Sequence, residues 1–188
     1  MNRPPVPIGG LALALLVLAT LIGCGGSTRP PVDEGPRVEP APTFPTDPPG
    51  DGRFFARIGG ELVRLEVAAV PEARARGLAG RTALAPDEGM IFVYPEAASR
   101  SFWMKGCLIS LDIAYLDDER RIFQLGSLDP GAPDAADHPR LVSTGPARYV
   151  VEMEKGWFAR HGLGVGEIVR FSPELEEWVA LVRDAEGR

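Results

Sequence analysis

The sequence is poor in the residues that most often carry chemistry. It holds two cysteines and two histidines in 188 residues. No HxH or CxxC spacing brings any of them together, so no metal centre is expected. No Gly-rich phosphate cradle and no Ser-centred nucleophile elbow is present. Gly162-Leu163-Gly164-Val165-Gly166 precedes a strand rather than a helix and reads as a turn. Asp129, Asp134 and Asp137 share an acidic loop but lack the regular spacing of a calcium loop. No cofactor is expected. Basic residues are outnumbered, 20 Lys and Arg against 26 Asp and Glu, for a formal charge of −6. Nucleic-acid binding needs clustered positive charge; here it is scattered, which excludes that class of partner. The longest apolar run, Leu11 to Ile22, is too short to cross a bilayer as a helix. There are no internal repeats.

What is present begins with an address. Residues 1–23 have the parts of an export signal: Arg3 in a short positive start, the apolar run, then Leu21-Ile22-Gly23-Cys24. That last stretch resembles the lipobox of bacterial lipoproteins. The resemblance implies that Cys24 is acylated, palmitate among its chains, and becomes the first residue. The alternative is an uncleaved signal anchor with an incidental cysteine. Gly25 stands where lipoproteins kept at the inner membrane commonly carry Asp. The expected location is therefore the periplasmic side of the outer membrane if the cell is Gram-negative. Residues 24–52 form a lipid-anchored Pro/Gly-rich linker with Phe44 as its one aromatic, too apolar-poor to repay ordering. As a flexible coil it reaches about 30 Å, and fully extended about 85 Å.

Residues 53–188 read as a single globular domain. Gly59-Gly60 separates two strand-like runs, as a tight hairpin requires. Pro71 opens a short helix in which Arg74 reads as part of a solvated face. Met90–Tyr94 is a strand too apolar to be exposed on either face, and Pro95 is expected to break it. From Ser101 to Lys105, Phe102 and Met104 alternate with Trp103 and Lys105. Leu108–Leu116, Arg121–Leu128, Ala147–Met153 and Glu167–Phe171 complete the strands, with a long loop at Gly126–Arg140. Ser172-Pro173 starts a last helix that presents Leu175, Trp178, Val179 and Val182 on one side. The fold class is α+β or mainly β: a compact, strongly bent sheet or partial barrel of about seven short strands with two or three short helices.

The runs GLAGR (77–81), DEGMIFVY (87–94), FWMKGCLISLDIAYLD (102–117), PARYVVEMEKG (146–156) and GLGVGE (162–167) resemble, in that order, the domain of unknown function 192. This small bacterial and archaeal domain often lies behind an export signal. The resemblance covers roughly Arg53 to Phe171. It departs at Gly106-Cys107, where many members have Asn-Thr, and at Ser110, where Pro is usual. It implies a fold and supplies no catalytic residue.

Among individual residues, Cys107 is the thiol left after lipidation. It has no histidine in a cysteine-hydrolase context and reads as a small buried hydrophobe. Asp112 sits between Leu111 and Ile113, where a carboxylate needs partners. Lys105 or Arg81 is a possible counter-charge, either in a structural ion pair or in an acid–base site. Trp103 with Lys105 suits a glycan or an anionic group, or else is packing with the lysine reaching to water. The function read from these residues is an envelope-tethered, non-enzymatic module that binds a small ligand, a glycan or an envelope protein, held to the membrane by its anchor. The alternative is a small envelope enzyme using Asp112, Lys105 and Arg81.

Overall fold

The computed structural model describes residues 52–132 and 136–186, with side chains described as far as residue 182. Cys24, the leader, nearly all of the linker and Asp134 lie outside that set. Within it the elements run β1 (Arg53–Ile58), β2 (Glu61–Ala68), α1 (Pro71–Arg76), β3 (Glu88–Ala98), β4 (Ser101–Trp103), β5 (Leu111–Leu116) and β6 (Ile122–Leu128). Then follow β7 (Arg140–Val142), β8 (Ala147–Glu154), α2 (Trp157–Arg160), β9 (Val169–Phe171) and α3 (Pro173–Glu186). Seven strands form one curled sheet in the order β6-β5-β8-β3-β2-β1-β9, and β4 pairs with β7 in a small second sheet. The β-rich class is as the sequence implies.

The β1–β2 hairpin turns at Gly59-Gly60, with Gly59 at a φ of 60° that glycine adopts without penalty. β2 and β3 pair in parallel, so the chain must cross over between them, and α1 lies in that crossover. Pro95 does not end β3. The strand runs on to Ala98, and the pairing with β8 shifts register between Val93 and Ala98. A proline cannot donate to the ladder and is accommodated at such an irregularity.

The sheet buries both faces, and strand alternation sorts the side chains between them. On one face Ile91 and Val93 of β3, Ala114 and Leu116 of β5, and Val151 and Met153 of β8 pack with Trp157, Phe158, Phe171, Leu175 and Val179. α3 covers this side with Leu175 and Val179, and its Trp178 lies 6.0 Å from Phe54. The Ser172 hydroxyl accepts from the Leu175 N–H at 3.4 Å, as a helix cap should. On the other face Met90 and Phe92, Leu111, Ile113 and Tyr115, and Val150 pack with Leu78, Phe102 and Met104. Phe102 meets Phe92 edge-on at 4.7 Å and Tyr115 at 5.9 Å. This double coverage explains why every residue of β5 is buried.

Candidate functional site

The alternation that builds the two cores also divides the candidate residues. In β5, Asp112 shares a face with Ala114 and Leu116. In β8, Glu152 shares a face with Val150 and so points to the opposite side, under Phe102 and Met104. Lys105 and Trp103 rim the cleft above Glu152, while Asp112 lines a different one with Lys155, Phe158 and Leu163. Lys105 and Asp112, adjacent in the sequence block, are thus on opposite sides of the sheet. Arg81 is elsewhere again, its guanidinium bonded to both oxygens of Glu66 at 2.7 Å.

Asp112 is 6% exposed, and each of its oxygens has a partner. Oδ1 accepts from the Ser127 hydroxyl at 2.6 Å, and Oδ2 accepts from the Gly156 N–H at 2.9 Å. These bonds tie β6 and the turn after β8 to β5. The counter-ion role imagined for Lys105 is absent. Satisfaction comes from neutral donors, which suits a buried carboxylate with few alternatives. Nearby Lys155 is engaged by both oxygens of Asp129 at 2.8 Å.

Glu152 is different. It lies in a central strand, opposite Met90 of β3 and Ile113 of β5. Its side chain projects to the floor of a cleft bounded by Arg74, Arg76, Gly77, Leu78, Phe92, Phe102, Trp103, Lys105 and Cys107. Among the described carboxylates, it alone has a buried oxygen, Oε2, with no hydrogen-bond partner. Burial pushes its pKa up to about 8, because a charge in that setting has neither water nor a close donor to stabilise it. The space above it is small, about 30 Å³, room for a water or two. Gly77, at a φ of 51°, permits the close approach of the end of α1. A Cβ there would lie 3.4 Å from the Phe92 ring and 4.0 Å from Glu152 Oε2.

Around that floor the polar groups are arranged by charge. Cys107 is pushed up to about 11, mainly by burial and then by Glu152, so its thiol is not a ready nucleophile. Burial also raises Tyr94 and Tyr115. The Tyr115 hydroxyl donates to the Leu141 carbonyl at 2.7 Å. Arg74 is not the solvated helix residue its position suggests: its guanidinium donates to the Ala69 and Val93 carbonyls and lies over Tyr94. Arg100 stacks on the same ring at 3.7 Å. At the rim Trp103 is 48% exposed, with the Lys105 ammonium 5.3 Å from its ring centre.

Of three larger clefts, one of about 240 Å³ beside Cys107 and His138 holds a buried, partnerless His138 Nδ1 but no carboxylate, and the other two have their polar groups already engaged. The one of about 340 Å³ contains the satisfied Asp112. The one of about 500 Å³ contains Asp87, Glu154, Trp157, Arg160 and His161. There the Trp157 indole donates to Asp87 at 2.9 Å and Arg160 to Glu154 at 2.9 Å. Volume therefore does not single out the site; the unsatisfied carboxyl does. Sequence reasoning overlooked Glu152, although the signal was available. It stands between Val151 and Met153 in an apolar strand, the same context that drew attention to Asp112. Among the described residues no group of three or more His, Cys, Asp or Glu is placed to hold a metal ion.

A model of the family DUF192, described as Uncharacterized ACR, matches residues 54–171. That is more than half of the chain, and the chain belongs to this family. Two solved structures are similar. One is a proposed transcription regulator from Sinorhizobium meliloti 1021, 25% identical, with a TM-score of 0.57, covering 63% of this chain and 93% of that one. The other is a protein of unknown function from Novosphingobium aromaticivorans DSM 12444, 29% identical, with a TM-score of 0.58, covering 69% of this chain and 94% of that one. No curated protein matches the chain.

Proposed function

We propose that this DUF192 member is a non-enzymatic, envelope-tethered module that binds a small ligand in the cleft above Glu152. The observation that carries this reading is the partnerless Glu152 oxygen at the floor of a cleft rimmed by an exposed tryptophan and a lysine. A buried polar atom without a partner costs about 1–3 kcal/mol, and a ligand group that bonds to it recovers that cost on binding. Trp103 offers a flat apolar surface and Lys105 a charge beside it, the usual combination of a large contact and a few orienting polar groups. Cys107, whose pKa burial raises, leaves the cleft without an activated nucleophile.

A ligand screen by thermal shift tests the binding. Bound ligand raises the melting temperature by mass action, and Trp103→Ala or Lys105→Ala should remove that rise. A rise that survives both substitutions would place the ligand elsewhere and sink the proposal. The tether has its own test. Cys24→Ser should move the protein from the membrane fraction to the soluble one, and a mutant that stays membrane-bound and uncleaved refutes lipidation.

A further inference from the structure

We propose that the cleft takes the carboxylate end of a small, flat organic anion, with the Glu152 carboxyl donating a hydrogen bond to a ligand oxygen and Lys105 and Arg76 balancing the ligand's charge. This rests on the reading that the cleft binds a ligand, and adds the class of ligand.

The charge inventory argues for an anion. Three cations, Arg74, Arg76 and Lys105, line the cleft against one carboxyl, Glu152. Arg74 is committed to the Ala69 and Val93 carbonyls. Arg76 is exposed, and among the described residues neither it nor Lys105 has a carboxylate partner. A cationic ligand would meet three like charges, and like-charge juxtaposition is a strong means of exclusion. An anion meets a positive rim and an acid at the floor.

The floor then decides which anion. A neutral carboxyl is both donor and acceptor, whereas an ionised one only accepts. With Oε2 buried and unpartnered, a protonated Glu152 can share its proton with an incoming carboxylate in a short, charge-assisted bond. Space of about 30 Å³ admits only the terminal group of a ligand, so the rest of the molecule must lie at the rim, where the half-exposed Trp103 ring favours a flat body.

The groups that face Glu152 do not blur this state. From β3 comes Tyr94, from β5 Tyr115, and from the turn after β4 Cys107. All three are raised, Cys107 to about 11, and stay protonated while Glu152 ionises at about 8. Phe92, Phe102, Gly77 and Leu78 are uncharged, and the remaining charged groups of the lining are the cations Arg74, Arg76 and Lys105. Of these acids, Glu152 alone changes its charge in this range. Anion binding is therefore full at neutral pH and fades above it.

The test uses the full chain in detergent and three flat probes that differ in charge: benzoate, benzamide and benzylamine. Benzoate should raise the melting temperature, and the other two should not. Calorimetry should show benzoate affinity falling about tenfold between pH 6.5 and pH 9, as the protonated fraction of Glu152 falls to about a tenth. Glu152→Gln keeps a donor and should bind benzoate with a flat pH profile. Lys105→Ala and Arg76→Ala should each weaken binding several-fold. Should the glutamine variant fail to fold, the wild-type pH profile and the two rim variants still decide. A flat wild-type profile overturns the proposal, as does the absence of any benzoate shift at millimolar concentration. Trp103-dependent binding of benzamide or benzylamine without benzoate also overturns it, while leaving the cleft as a binding site.

Discussion

Replacing Glu152 with glutamine should uncouple the protein's stability from pH across the neutral range. The ordinary value for a glutamate is 4.5, and in the fold burial raises Glu152 to about 8. A group raised on folding binds its proton more tightly in the native state, so the native state holds more protons than the unfolded one and stability falls as pH rises. The contribution is fully present below about 4.5 and is lost as pH passes through about 8. Between those limits the slope approaches about 1.4 kcal/mol per pH unit, and from pH 5 to pH 8 the loss sums to about 3–4 kcal/mol. Glutamine has the same shape and no proton to lose. At pH 5 the two proteins should be of similar stability. By pH 8 the difference should have moved by about 3–4 kcal/mol in favour of the variant. With slopes of about 1–3 kcal/mol per molar urea for a small protein, the relative midpoints should move by about 1–3 M.

Urea titrations of both proteins at half-unit pH steps would measure this. Using the difference cancels the other titrating groups. Parallel profiles, with a difference that changes by less than about 1 kcal/mol from pH 5 to pH 8, would show that Glu152 is not desolvated in solution. The unsatisfied carboxyl would then be gone, and with it the reason for singling out this cleft.

Three further outcomes follow from the packing. Gly89→Ala should destabilise by about 3 kcal/mol in urea unfolding, since overpacking inside a sheet leaves little room to relax. Its Cβ would sit 2.3 Å from the Glu152 carbonyl oxygen and 2.4 Å from the Met153 sulfur. Asp112→Ala should cost about 2–3 kcal/mol because it strands the Ser127 hydroxyl and the Gly156 N–H. Asp112→Asn, which retains an acceptor, should cost less, and equal losses would contradict this account. Native Cys107, raised to about 11, should react with a thiol reagent at pH 7 about a hundredfold more slowly than an unfolded control. Fast labelling would restore it as a nucleophile.

Much of the architecture was legible because local chemistry and the fold agree. Gly59-Gly60 demanded a tight turn, Ser172-Pro173 a helix start, and the spacing of Leu175, Trp178, Val179 and Val182 a buried stripe; each is present. The unbroken burial of Met90–Val93 was readable as a strand covered on both sides. What escaped depends on distant partners. Pro95 marks a break only if the neighbouring strand cannot absorb it, and β8 does so by a register shift. The three-residue β7, which starts at the last residue of what reads as loop, exists because Ser101–Trp103 offers it an edge. Arg74 reads as solvated until the Ala69 and Val93 carbonyls come within its reach.

The two carboxylates show where sequence context stops discriminating. Asp112 and Glu152 each stand between apolar neighbours in a buried strand, and both are nearly inaccessible. What separates them is set by the third dimension. Ser127 and Gly156 arrive beside Asp112 because β6 and the turn after β8 border β5 on that face. Over Glu152 the covering elements bring aromatic edges, a glycine and cations at the rim instead. Asp112 therefore holds elements together, and its loss is a stability effect. Glu152 ties nothing down through Oε2, and a glutamine would fill its place without the penalty above pH 8. The property the carboxyl adds is a proton that leaves near that pH. If Glu152→Gln gains stability as described yet still binds benzoate with a flat pH profile, the acid serves as a hydrogen-bond donor whose availability is set by pH. If it gains stability and loses benzoate, the proton itself must move on binding, and the pH dependence of the binding heat in buffers of different ionisation enthalpy would reveal the transfer.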